Sequence, residues 1–184
     1  MDKNLKINSN VNWQWYALYT RPRFEKKVDS LLKEKGMESF LPLRKVRKRW
    51  SDRWKIIEEP LFSCYVFVRI PFRQRIFALQ TQGVVRMVTF DGRPSPIPDE
   101  EMAAVRRLLR SEVKFEISPY CFAIGQKVEI KYGPLAGVRG QLIEKRGQKK
   151  LLVGIEQIRQ GLRIEISEHE IVPVSQEKKH IQAA

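Results

Sequence analysis

Apolar residues along this chain follow two periods, and the switches between them mark out the elements. Trp15 to Thr20 is a run of aromatic and aliphatic residues that favours a strand. From Phe24 the spacing lengthens: Phe24, Val28, Leu31 and Leu32 fall at i, i+4, i+7 and i+8, one stripe of an amphipathic helix that Gly36 ends. Met37 to Leu41 suits a second strand. Leu61 to Ile70 is the most hydrophobic segment and predicts a strand central to a sheet. Phe72, Ile76 and Leu79, with Gly83 as terminator, predict a second helix, and Val84 to Phe90 a strand that stops at the turn dipeptide Asp91-Gly92. In the third helix, Pro98 and the acids Asp99, Glu100 and Glu101 stand at the positive end of the dipole. Arg106, Arg107 and Arg110 stand at the negative end, and Met102, Val105, Leu108 and Leu109 form its buried face.

Residues 111–124 have few periodic apolar positions and contain Pro119, which reads as a linker. Beyond it the period is two. Gln126 to Lys131, Val138 to Glu144, Lys149 to Ile155, Leu162 to Ser167 and Ile171 to Val174 predict five strands. Five strands in about fifty residues make a small barrel. The first part runs strand, helix, strand, basic arm, strand, helix, strand, helix, which predicts helices on a mainly antiparallel sheet. The fold class is therefore α+β: an α/β sandwich over 13–110, then a small β-barrel over 125–174.

Charge narrows the partners. Thirty-five Lys and Arg against twenty-one Asp and Glu leave a net charge of +14, a field that attracts phosphate backbones. Surface cations that merely confer solubility are the alternative. Residues 1–110 hold 23 basic and 12 acidic groups, so most of the attraction lies in the first domain. Cys64 and Cys121 have neither metal-ligand nor disulfide-framework spacing, which fits a reducing compartment. No apolar run approaches the ~20 residues of a membrane span, and the first residues lack the apolar core of a signal peptide. The expectation is a cytoplasmic protein without membrane contact.

Catalytic signatures are missing from the sequence. His169 and His180 have no nucleophile or ligand pattern near them, and the glycines follow neither dinucleotide nor P-loop spacing. Adjacent carboxylates such as Glu58-Glu59 point apart along an extended chain. The sequence reads as a non-enzyme without cofactor or metal.

Two segments carry candidate chemistry. In an extended Pro60 to Val68, Ser63, Tyr65 and Phe67 share one face and Cys64, Val66 and Val68 the other, so both faces are apolar. Either elements of the same domain cover both, or an aromatic patch is left open for a partner. The second is a basic arm over 42–59. Arg44, Lys45, Arg47, Lys48, Arg49, Arg53 and Lys55 surround a turn at Ser51-Asp52-Arg53, and Trp50 and Trp54 lie among them. Aromatics interleaved with cations suit stacking on bases together with phosphate contact; a solvated charged hairpin is the plainer reading. Lys145, Arg146, Lys149 and Lys150 surround the turn at Gly147 in the second domain.

The second domain opens with Gly125-Gln-Lys-Val-Glu-Ile-Lys-Tyr-Gly133-Pro134-Leu-Ala-Gly137-Val-Arg-Gly140, an alternating strand followed by a glycine-spaced turn. This stretch resembles the KOW motif, and Gly125, Gly133, Pro134, Gly137 and Gly140 are the positions that match. With Trp15-Tyr16-Ala-Leu-Tyr19, Pro60-Leu-Phe-Ser-Cys-Tyr65-Val-Phe-Val and Gly83-Val-Val, it resembles the NusG family of transcription elongation factors over residues 13–174. Glu59-Pro60-Leu61-Phe62 and the compact turn around Gly147 look more like the specialised RfaH/UpxY-type antiterminators than the housekeeping members. Ser63-Cys64 departs from the Pro-Gly common in housekeeping members, and the first helix lacks the base-reading side chains of RfaH.

The resemblance implies an N-terminal NGN domain and a C-terminal, SH3-like KOW domain. It implies that Tyr19, Phe62, Tyr65 and Phe67 contact the clamp helices of the RNA polymerase β′ subunit, and that Arg73, Gln74 and Arg75 face the β-subunit gate loop. The factor would be a monomer that bridges the polymerase cleft and suppresses pausing or termination, on specific operons such as those for polysaccharide synthesis. DNA, nascent RNA and a small-subunit ribosomal protein at the KOW domain are its implied partners. A structural RNA-binding or ribosome-associated KOW protein is the alternative. The glycines through 133–161 and the alternation of Leu162, Ile164 and Ile166 predict that the second domain stays all-β and leaves the aromatic patch open.

Overall fold

β1 (Trp13–Thr20) is the spine of the first unit. Tyr16, Leu18 and Thr20 project from one side of it and Trp15, Ala17 and Tyr19 from the other. All of these but Tyr19 are buried, so the strand is covered on both faces. The computed structural model describes residues 12–90, 92–119, 126–145 and 148–174. Its contacts divide the chain into two units, Met1–Met102 and Ala103–Ala184.

In the first unit α1 (Glu25–Glu34) follows β1, then β2 (Glu38–Phe40), β3 (Leu43–Trp50), β4 (Arg53–Pro60) and β5 (Tyr65–Pro71). A 3-10 turn (Phe72–Gln74) leads into α2 (Arg75–Leu79), β6 (Val84–Met87), β7 (Thr89–Phe90) and β8 (Arg93–Pro94). α3 (Asp99–Arg110) crosses the division between the units. The main sheet has the order β2-β5-β1-β6 with every pair antiparallel. Tyr16 and Leu18 of β1 and Val66, Val68 and Ile70 of β5 form its inner face. Val28 and Leu32 of α1 and Ala78 of α2 complete that core. The apolar stripe at period 3.6 is what lets α1 lie on this face. β3 and β4 pair only with each other, as a separate two-stranded arm.

Three expectations change in detail. The strand expected from Leu61 begins only at Tyr65, because Cys64 takes a left-handed backbone (φ 65°) and Leu61 to Cys64 form a turn. Two hydrogen bonds tie Cys64 to β1 and α1: Thr20 N–H donates to the Cys64 carbonyl (2.8 Å), and Cys64 N–H donates to the buried Glu25 carboxylate (2.8 Å). The second helix is five residues long; Phe72 lies in the 3-10 turn before it, and Phe72 and Ile76 are 44% and 52% exposed. The strand expected over Val84 to Phe90 divides at Val88, whose N–H donates to the Ala17 carbonyl of β1 (2.9 Å).

The second unit is an antiparallel sheet of order β14-β10-β11-β12-β13-β9, built from β9 (Phe115–Pro119), β10 (Lys127–Ile130), β11 (Arg139–Lys145), β12 (Gln148–Ile155), β13 (Gln160–Glu165) and β14 (Ile171–Pro173). Val128, Ile130, Leu135, Val138, Leu151, Val153, Ile155, Leu162 and Ile164 are buried in it. The five expected strands are present and a sixth joins them from the stretch read as a linker. β9 pairs with β13 through Ile117↔Leu162, because the edge of β13 offers unpaired backbone groups that a short period-two segment satisfies. Described residues beyond 126 are strands, turns and short 3-10 segments, with no helical hairpin among them. Mixed α/β structure with antiparallel sheets and few helices is the α+β class the sequence implies.

Candidate nucleic-acid and protein interface

The outer face of the main sheet carries the aromatic residues singled out in the sequence, in two different states. Antiparallel register sets Tyr19 opposite Tyr65, Ala17 opposite Phe67 and Trp15 opposite Arg69. Phe67 is fully buried; its ring lies 6.4 Å from Phe40 and 6.2 Å, edge-on, from Phe62, which is itself fully buried. The expectation that Phe62 and Phe67 are open to a partner is therefore corrected: both are core. At the end of the face nearest Cys64 the aromatic residues are accessible. There Tyr19 and Tyr65 are half-buried and meet edge to face, with ring centroids 5.5 Å apart. Arg86 of β6, opposite Tyr19 in register, lays its guanidinium 5.3 Å from the Tyr19 ring centre. Tyr65, Tyr19 and Arg86 thus form one row across three strands. Arg86 is a residue the sequence reading misses; its signal was the polar position in Val84-Val85-Arg86-Met87.

Electrostatics keep the Tyr65 phenol neutral. Burial pushes the Tyr65 hydroxyl above its ordinary value, the nearby Arg86 pulling the other way. Burial likewise raises the Cys64 thiol, the Glu25 carboxylate adds to that, and a side-chain hydrogen bond with Tyr19 opposes it. Tyr65 thus stays a protonated phenol, with a ring to bury and an O–H to donate. Among the described residues no group of three or more His, Cys, Asp or Glu side chains could hold a metal ion, and no helix is long and apolar enough to cross a membrane.

Arg73, Gln74 and Arg75 lie at the other end of β5, in the 3-10 turn and at the start of α2. β5 separates them from Tyr65 by seven residues, about 20 Å of extended chain. The Arg75 guanidinium sits 4.5 Å from the centre of the exposed Phe72 ring, and Lys35 covers the Phe77 ring at 4.7 Å. The result is an exposed apolar step (Phe72, Ile76, Phe77) rimmed by cations.

The arm is a two-residue-loop hairpin in the register Leu43↔Pro60 to Trp50↔Arg53. Arg44, Lys45, Arg47, Lys48, Arg49, Trp50, Arg53, Trp54 and Lys55 are all exposed. Lys48 forms an ion pair with Glu59. Val46, Trp50, Trp54, Ile56 and Ile57 favour extended chain, and the like charges on the ribbon leave most of its cations pointing into solvent.

In the second unit Gly133 (φ 82°), Pro134 and Gly137 (φ 81°) form the turn between β10 and β11. Gly137 N–H donates to the Ile130 carbonyl (2.7 Å) from a backbone conformation that side chains disfavour. Gly140 serves a different need: a Cβ there would stand 2.6 Å from the Leu152 carbonyl oxygen of the neighbouring strand. Gly125 lies outside the described residues, as do Arg146 and Gly147, and Lys150 is ion-paired with Glu165 at 3.2 Å.

Comparison with known proteins relates the chain to one family. The sequence model of the family described as transcription termination factor NusG matches residues 13–106. The transcription termination/antitermination protein NusG of Vibrio vulnificus is 26% identical over 152 residues, covering 76% of this chain and 83% of that protein. The protein of the same name from Lactococcus lactis is 22% identical over 175 residues, covering 85% and 91%. Among solved structures, one described as domain interaction in Thermotoga maritima NusG aligns with a TM-score of 0.49 and 24% identity, covering 89% of this chain and 98% of the other.

Proposed function

Since this chain belongs to the NusG family of transcription termination and antitermination factors, we propose that it is a non-enzymatic, cytoplasmic elongation factor that binds RNA polymerase through its first domain. The observation that carries this reading is the separation of two accessible clusters by the length of β5. The Tyr19–Tyr65–Arg86 row is a half-buried aromatic anchor, the kind of site where binding energy concentrates, and fits an apolar helical surface such as the β′ clamp helices. Arg73, Gln74 and Arg75 beside Phe72 offer cations to a second element, the β gate loop. One rigid strand holding both contacts lets the domain bridge a cleft and suppress pausing. Phe62 and Phe67 support the anchor from beneath. The arm contacts DNA, and the KOW domain is left for nascent RNA or a small-subunit ribosomal protein. Action on particular operons, as in the RfaH/UpxY-type branch, is part of the same proposal, resting on Glu59-Pro60-Leu61-Phe62 and the turn around Gly147.

Co-purification with core polymerase tests it. Tyr65→Ser with Arg86→Glu is expected to lose polymerase, and Arg73→Glu with Arg75→Glu to keep partial binding but lose pause suppression. Wild-type retention by the folded Tyr65/Arg86 variant would remove the anchor. Recovery of ribosomal subunits without polymerase by the wild-type chain would favour the ribosome-associated alternative.

A further inference from the structure

Antiparallel register assigns every arm residue to one of two faces. On the first, Arg47 stands opposite Ile56 and Arg49 opposite Trp54; on the second, Lys48 stands opposite Lys55 and Trp50 opposite Arg53. Each face therefore carries one tryptophan close to the tip. On the first, the Arg47 guanidinium lies 4.7 Å from the Trp54 ring centre; on the second, the Lys55 ammonium lies 5.7 Å from that of Trp50. Both indoles are more than half exposed, at 56% and 57%. Acidic groups on the strands are confined to the base, where Glu58 and Glu59 stand opposite Lys45 and Arg44. Toward the tip Arg47, Arg49, Arg53 and Lys55 are exposed and make no ion pair with a carboxylate among the described residues. The same polyanion-binding chemistry is thus duplicated on opposite sides of one ribbon.

A single strand tracking one face would leave a tryptophan and two cations on the other without a ligand. A groove, by contrast, has a phosphate wall on each side. A two-stranded ribbon with side chains on both faces is about 10 Å thick, which fits the B-form major groove of about 12 Å but not the minor groove of about 6 Å. The deep, narrow major groove of A-form RNA does not admit it. Resting on the nucleic-acid reading of the arm above, we propose that the hairpin enters the major groove of B-form duplex DNA tip first. Arg47, Arg49 and Trp54 then meet one phosphate wall, and Arg53, Lys55 and Trp50 the other.

Fluorescence anisotropy of the full chain with three labelled probes tests this: a DNA duplex, an RNA duplex of equal length, and one strand of the DNA, each titrated at several salt concentrations. Wild type is expected to prefer the DNA duplex. Arg47→Glu/Arg49→Glu and Arg53→Glu/Lys55→Glu should each weaken it by at least about tenfold and lower the logarithmic salt slope by about 1.8, two phosphate contacts apiece. Circular dichroism confirms that the variants are folded. A single strand bound as tightly as the duplex, or one face whose variant changes nothing, would overturn groove insertion while leaving nucleic-acid binding intact. Slopes that are the same for wild type and both variants on all three probes would instead overturn the nucleic-acid reading of the arm itself.

Discussion

Replacing Phe67 by alanine separates a floor residue from a contact residue on the same sheet face. Phe67 is fully buried, opposite Ala17 of β1 and between the rings of Phe40 and Phe62. Ala17 cannot expand to fill the space, and both rings are held by their own packing, so a cavity should persist. Truncation of a buried phenylalanine costs about 3–5 kcal/mol, against a total stability of about 5–15 kcal/mol for a domain. With a urea dependence of about 2 kcal/mol per molar, the midpoint should fall by about 2 M. Trp15 is the natural reporter, since it is 2% exposed on this same face while Trp13, Trp50 and Trp54 are 47%, 57% and 56% exposed. Tyr65→Ala should behave in the opposite way. Its ring is half-exposed at the end of the face, so the midpoint should move little, while polymerase affinity falls about 30-fold if the ring contributes about 2 kcal/mol to binding. The assay pairs urea unfolding of the full chain with polymerase binding for each variant. A Phe67→Ala protein with an unchanged midpoint and lost polymerase binding would refute the assignment of Phe67 to the core.

Two further outcomes follow from the packing and the titrating groups. Gly140→Ala should destabilise the second unit by about 1–3 kcal/mol, because the new Cβ would meet the Leu152 carbonyl oxygen at 2.6 Å; hydrogen exchange of the β11 and β12 amides should rise while that of β1 and β5 is unchanged. Stability should be flat from about pH 6 to 8 and decline above about pH 9, where the unfolded chain begins to release protons that the folded one retains. The sign follows from Cys64, Tyr16 and Tyr65, all raised in the folded protein: their contribution is complete below the unfolded values and is lost as pH rises through the folded ones. Cys64→Ser should delay the onset of that decline, which thermal unfolding across the range would measure.

The sequence alone determined the elements whose signal is local. The spacing of Phe24, Val28 and Leu32 specifies a helix wherever it lies, and the acids and arginines at the ends of Asp99–Arg110 orient its dipole. The arm was equally legible, because its turn and its charges are contiguous, and so was the turn between β10 and β11, whose left-handed glycines are a backbone requirement. What depends on neighbours distant in sequence was not. Phe62, Tyr65 and Phe67 read alike as aromatics beside a strand, but only their placement against Phe40 and Tyr19 makes the first and last core and leaves Tyr65 accessible. Arg86 acquires its place only through strand register with Tyr19. Residues 115–119 are a strand because β13 has a free edge, and the left-handed Cys64 interrupts an apolar run because Glu25 and Thr20 hold it from another element. Hydrophobic period reports which residues want burial; the partner that buries them, and the hydrogen bond that bends the chain, come from residues brought together only by folding.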